Sequence, residues 1–133
     1  MNYSVDQNPH KGNRGLLRAW RAAINSWNGL VFAYQEESAF RQELCLAIFL
    51  IPLAMFLPVN IVQRILMIGS VALILLVELL NSSIEAAIDR ISFEHHALSK
   101  RAKDFGSAAV MIALLLCIFT WGMIIYPLIK NLS

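Results

Sequence analysis

Hydrophobic and polar positions divide the chain into one two-faced segment and three apolar blocks. Between residues 15 and 34, Leu16, Leu17, Trp20, Ala23, Ile24, Trp27, Leu30, Val31 and Tyr34 recur at steps of three and four. Arg14, Arg18, Arg21, Asn25 and Asn28 fill the other side. That spacing predicts an amphipathic helix over about 15–35. Tryptophan on one face and arginine on the other suit a helix lying in the headgroup plane of a membrane. Gln35-Glu36-Glu37-Ser38 interrupts the pattern. Residues 44–57 are uncharged, a stretch short for a membrane span. Extended back through Ala39, with Arg41 snorkelling to the interface, it becomes long enough, and a first span is expected over about 39–58. Pro58-Val59-Asn60 reads as the turn, and Gln63 and Arg64 mark the next interface. A second span is expected over about 63–89 and a third over about 105–129, with Trp121 and Tyr126 as interface anchors near its far end. Residues 89–104 read as a polar connection between them. Residues 1–14 hold little that could be buried and read as a mobile tail.

Composition sharpens this picture. The 133 residues are 58% hydrophobic with a mean hydropathy of +0.60, too apolar for an ordinary soluble domain. The expected fold is therefore an all-α integral membrane protein. It has three transmembrane helices and an N-terminal amphipathic surface helix, and residues 15–133 form a single membrane-embedded domain. A net charge of +2 gives no reason to expect a nucleic-acid partner. Cys45 and Cys117 each lie in an apolar run and offer neither a disulfide framework nor metal-ligand spacing. The polar start and the arginines that follow it do not resemble a signal peptide. Lys11, Arg14, Arg18, Arg21 and Arg41 precede the first span, and Arg90, Lys100, Arg101 and Lys103 lie between the second and third. The loop between the first two spans has only Arg64, and the C-terminus only Lys130. The positive-inside rule then puts the N-terminus and the 89–104 segment in the cytoplasm.

The chemistry lies on one stripe. At about 100° per residue, Glu78, Asn81, Glu85 and Asp89 share a narrow helix face in the later half of the second span. A carboxylate in a span costs several kcal/mol unless it faces protein, water or a cation. Glu37 and Glu43 enter from the first hinge, and Lys103-Asp104 from the start of the third span, all toward the same aqueous phase. Carboxylates gathered in a partly dry site repel one another unless a cation joins them. Mg²⁺ suits such oxygen ligands and keeps places for phosphates. Lys103 offers a point charge for phosphate, and the N-terminal end of the third span favours an anion. Metal, phosphate and a spare carboxylate base outline a phosphoryl-transfer site. No G-x-x-x-x-G-K-[ST] loop is present. Asp104-Phe105-Gly106 spells the kinase D-F-G tripeptide, but without a glycine-rich loop or H-R-D it is coincidence. His95-His96 reads as two exposed loop histidines, able to touch a nucleotide.

Val77-Glu78-Leu79-Leu80-Asn81-Ser82-Ser83-Ile84-Glu85-Ala86, followed by Asp89, resembles the pattern V-E-x-x-N-[ST]-[AS]-I-E-x of the small bacterial integral-membrane diacylglycerol kinases. Ala102-Lys103-Asp104, Gly106-Ser107-Ala108-Ala109-Val110, Ser26-Trp27 and Glu37-x-Ala39-Phe40-Arg41-Gln42-Glu43 resemble it too, in the same order. The resemblance covers roughly residues 15–126. It implies an ATP-dependent lipid kinase that works as a homotrimeric bundle, with active sites shared between neighbouring subunits at the cytoplasmic face of the bacterial inner membrane. It implies Glu78 as the base, Glu37 and Glu85 as holders of Mg²⁺, and Asn81 and Asp89 as residues that order the site. Arg18, Glu37, Glu85, Glu94, His95, His96, Lys103 and Asp104 would meet MgATP. Arg18, Ala39, Phe40, Arg41, Gln42, Glu43, Glu78 and Ser107 would lie near the lipid. The acceptor implied is diacylglycerol, with membrane lipids around it. Undecaprenol on the same scaffold is the alternative, and a non-enzymatic cation pathway is a third reading from a different class.

Overall fold

The computed structural model describes residues 15–91 and 96–131, and they are overwhelmingly helical. The helices are α1 (Leu16–Glu36), α2 (Ser38–Phe56), α3 (Ile61–Ile91) and α4 (Ala97–Lys130). The chain forms two compact units, Met1–Phe32 and Ala33–Ser133. In the first, the described part of α1 keeps the expected two faces. Every described residue of this unit is exposed, and Leu16, Trp20, Ile24 and Trp27 carry the apolar stripe.

In the second unit, α2, α3 and α4 are each long and apolar enough to cross a membrane. Helix α3 is central and packs against both α2 and α4. The core runs in steps of three, four and seven along each helix: Ala47 and Ala54 from α2, Met67, Val71 and Ile74 from α3, and Ala113, Cys117, Trp121 and Ile124 from α4. In lipid, no hydrophobic force distinguishes a helix partner from an acyl chain. Close packing of small side chains, here Ala47, Ala54 and Ala113, supplies the attraction instead.

Helix α2 stops where its sequence demands. Leu57 precedes Pro58 and is pushed into an extended conformation, φ −65° and ψ 143°. Pro58 also lacks the N–H that would have bonded the Ala54 carbonyl. Arg64 repairs the loss from the next helix. Its Nε donates to the Ala54 carbonyl at 3.1 Å and its Nη2 to the Leu57 carbonyl at 3.2 Å. Helix α3 then starts on a reciprocal cap. The Asn60 N–H donates to Gln63 Oε1 at 3.0 Å, and the Gln63 N–H donates to Asn60 Oδ1 at 2.9 Å.

Two expectations need correction. The 89–104 segment is not simply a polar connection: α3 runs through Ile91 and α4 begins at Ala97. Polarity there does not end the helices. Lys100, Arg101 and Lys103 are good helix formers and are helical here. Trp121 is not an interface anchor. It is 7% exposed, and its indole N–H donates across to the Met67 carbonyl of α3 at 3.2 Å. Tyr126, at 69% exposure, keeps the expected outward position.

Candidate active site

The polar stripe of α3 grades from dry to wet. Glu78 is 4% exposed and Asn81 9%; Glu85 is half-buried and Asp89 exposed. One face of a continuous helix thus carries a series of polar groups from the protein interior to solvent. Asn81 Nδ2 donates to Glu85 Oε1 at 3.2 Å, one turn along. This fixes the carboxylate of Glu85 relative to the helix. Asn81 Oδ1 and Glu43 Oε2 are buried with no hydrogen-bond partner among the described residues.

Other elements bring their carboxylates to this stripe. Glu37 stands between α1 and α2, the only residue joining them, in an extended conformation with φ −105° and ψ 110°. Glu43 lies one turn into α2 and is half-buried. Glu37, Glu43 and Glu85 all lie close enough to Glu78 for their charges to act on it. One chain therefore assembles four carboxylates at one end of the α2–α3 pair. Such a group is unstable with every member ionised unless a cation or protons join it.

Helix α4 closes the other side. Lys103 Nζ reaches Asp89 Oδ1 at 2.7 Å, a tie between the two helices near the membrane edge. The Lys103 charge also lies within reach of Glu85. Gly106, three residues further on, is buried against Asn81. A Cβ at this position would collide with the Asn81 amide, so only glycine lets α4 approach here. His96 is the N-cap of α4, its Nδ1 accepting the Leu98 N–H at 3.2 Å. Asp104 and Ser107 are exposed on the first turns beyond it.

The family described as prokaryotic diacylglycerol kinase matches residues 24–125. The chain belongs to that family. It is 46% identical over 112 residues to the diacylglycerol kinase of Escherichia coli strain K12, covering 84% of this chain and 92% of the relative. To the diacylglycerol kinase of Pseudomonas aeruginosa PAO1 it is 48% identical over 121 residues, covering 91% and 98%. The diacylglycerol kinase of Helicobacter pylori J99 is 42% identical over 118 residues, covering 89% and 92%. Membership in this prokaryotic diacylglycerol kinase family makes the chain a membrane kinase, and the carboxylate end of the bundle is where its polar groups converge.

Within that family frame, the predicted residues fall into three groups. Glu37, Glu43, Glu78, Asn81 and Glu85 converge, and Asp89 with Lys103 adjoins them. Ala39, Arg41 and Gln42 are exposed on the first turns of α2, whereas Phe40 is 3% exposed and packs inward. Arg18 belongs to the first unit, exposed on α1. Glu94 and His95 lie outside the described residues. Among the described residues, no three of His, Cys, Asp and Glu form a ready-made metal centre. Two carboxylates with phosphate oxygens and waters are nevertheless a usual Mg²⁺ environment. Sequence reasoning missed Gly106 as a member of the site. The available signal was a glycine in the third apolar block whose partner stripe carries a buried amide.

Proposed function

We propose that this chain transfers the γ-phosphoryl group of ATP to the primary hydroxyl of diacylglycerol at the cytoplasmic face of the bacterial inner membrane, giving phosphatidic acid and ADP. The observation that carries the reading is Glu78: a carboxylate held dry inside a membrane span, with Glu37, Glu43 and Glu85 close by. Burying it costs several kcal/mol, which a purely structural residue would not justify.

In this reading Glu78 accepts the hydroxyl proton as the hydroxyl oxygen attacks the γ-phosphorus. The bond from that phosphorus to the bridging oxygen of ADP breaks, and ADP leaves with the electron pair. Glu37 and Glu85 have the donor chemistry to hold Mg²⁺, and Asn81 keeps Glu85 in place through its amide. When bound, Mg²⁺ neutralises phosphate charge. Lys103 supplies a further positive charge for the phosphates, held near α3 by Asp89. By resemblance, Glu94, His95, His96 and Asp104 are read as nucleotide-binding. By resemblance, Arg18, Ala39, Phe40, Arg41, Gln42, Glu43 and Ser107 are read as lipid-binding, and Arg18 as nucleotide-binding too.

The location follows from the substrate. A diacylglycerol hydroxyl sits at headgroup depth, and withdrawing its chains costs about 0.8 kcal/mol per CH₂. ATP must therefore come to the membrane surface, where positioning and charge neutralisation supply most of the rate. The orientation with the N-terminus and the 89–104 segment in the cytoplasm rests on the Lys and Arg distribution. A homotrimer with sites shared between subunits would cover the apolar surface that one chain leaves open.

The deciding experiment uses purified protein in mixed micelles with Mg²⁺ and labelled ATP, with diacylglycerol and undecaprenol in separate tubes. Label in phosphatidic acid is expected. Label only in undecaprenyl phosphate would keep the mechanism and replace the acceptor. No label in either, from folded oligomeric protein, would sink the kinase chemistry and favour a cation pathway.

A further inference from the structure

Arg41 faces two backbone carbonyls rather than a carboxylate. Its Nη1 donates to the Tyr34 carbonyl and to the Gln35 carbonyl, each at 3.0 Å. These belong to the last turn of α1, where carbonyls have no following helical N–H to bond, and where a positive charge meets the negative end of the helix dipole. Arg41 itself sits in the first turn of α2. Its side chain therefore spans the joint between the helices, and that joint is one residue, Glu37.

The backbone of Glu37 is tied from both sides as well. Its N–H donates to the Ala33 carbonyl at 2.9 Å, and its own carbonyl accepts the Arg41 N–H at 3.2 Å. A one-residue joint has two free dihedral angles. Whatever sets them also sets the direction in which the Glu37 side chain leaves the backbone. The charge of that carboxylate acts on Glu78.

We propose that Arg41 is a positioning residue that locks the Glu37 joint and so holds the Glu37 carboxylate beside Glu78. The proposal rests on the reading of Glu37 as a holder of the metal–nucleotide complex. It gives Arg41 a role through Glu37, distinct from direct contact with the lipid. A guanidinium suits this task because its planar fork presents several donors in fixed directions and remains charged at every working pH. A misplacement of about 1 Å in such a ligand can cost about 100-fold in rate.

The test compares Arg41→Leu, Arg41→Lys and Glu37→Gln in the full-length protein in micelles. Backbone hydrogen exchange over residues 37–41 reports the joint without any turnover. Binding of Mn²⁺–ADP without lipid reports the metal–nucleotide end. Steady-state assays then separate the KM for ATP from that for diacylglycerol. In Arg41→Leu, exchange should rise about tenfold or more and Mn²⁺–ADP affinity should fall about tenfold, with the KM for diacylglycerol unchanged. Arg41→Lys, which keeps a donor, should recover part of both. Arg41→Leu should add little in a Glu37→Gln background, because its effect passes through Glu37. Unchanged exchange together with a raised KM for diacylglycerol would overturn the proposal and make Arg41 a lipid contact. Faster exchange with Mn²⁺–ADP affinity unchanged in Glu37→Gln as well would overturn the reading of Glu37 beneath it, and leave the lock on the joint standing.

Discussion

At the residue scale, the proposed chemistry rests on a few groups whose environments differ within three helical turns. Glu78 is dry, Glu85 is bonded to Asn81, and Asp89 is wet and paired with Lys103. Glu78→Gln keeps the size and removes the proposed base. Turnover should fall by about 100-fold or more, the range of general-base catalysis, while nucleotide binding, measured by titration calorimetry, stays within a few fold. Strong residual turnover would place the base elsewhere. Gly106→Ala probes the same stripe from α4. The added methyl group meets the Asn81 amide, so either the amide turns away from Glu85 or the helices part. Overpacking of this kind costs about 1–3 kcal/mol. Reversible unfolding in mixed micelles should show that loss together with a fall in activity, and an unchanged variant would mean that the Asn81 amide makes room for a methyl group without cost.

At the element scale, polar links help hold the apolar helices, and two of them can be tested singly. Arg64 satisfies the Ala54 carbonyl only because Pro58 cannot. Arg64→Ala should lower stability by about 1–3 kcal/mol, the cost of an unsatisfied partly buried acceptor. Pro58→Ala restores an N–H at the required position. The double variant should therefore lose less than the sum of the two single changes, and strict additivity would disconnect the pair. Trp121→Phe removes the indole donor to Met67 and keeps most of the ring. A loss of about 0.6–1.5 kcal/mol in the same unfolding assay is expected, the usual range for hydrogen bonds between membrane helices. No loss would show that the ring alone holds the contact.

At the scale of the whole molecule, one chain leaves its spans largely open. Even the best-covered span, α3, has only 33% of its most apolar window buried. The carboxylate site also lies in a bundle of three helices, thin shielding for four acidic side chains. Association is the expected solution. Analytical ultracentrifugation in density-matched detergent should give a protein mass of about 45 kDa, three times the 14.9 kDa chain. A mass of one chain in an active preparation would require the site to be complete within a single protomer.

The helices themselves were legible in the sequence because membrane insertion reads local composition. A run of apolar residues becomes a helix wherever water is excluded, since its backbone groups have no other partner. The stripe was legible for a similar reason: positions 78, 81, 85 and 89 share a face in any α-helix. The 77–86 pattern with Asp89, and the segments that flank it, also carried the resemblance to the family that the comparisons show. The sequence could not show which polar residues leave the membrane while still helical. The 89–104 segment reads as a break, yet most of its described residues extend α3 and α4.

What the sequence alone determined is thus every feature set by neighbours along one helix: the three spans, the turn at Pro58, the amphipathic α1 and the carboxylate face. Tertiary structure decided what depends on distance between helices. Trp121 turned inward because a carbonyl on α3 was within reach of its N–H, an arrangement no periodicity encodes. Gly106 became necessary because α4 comes so close to Asn81, and Arg41 was drawn to the last carbonyls of the helix before it. Hydrogen bonds and packing act over a few ångströms in space. Their partners here lie from a few to more than fifty residues apart in sequence, and only the folded chain brings them together.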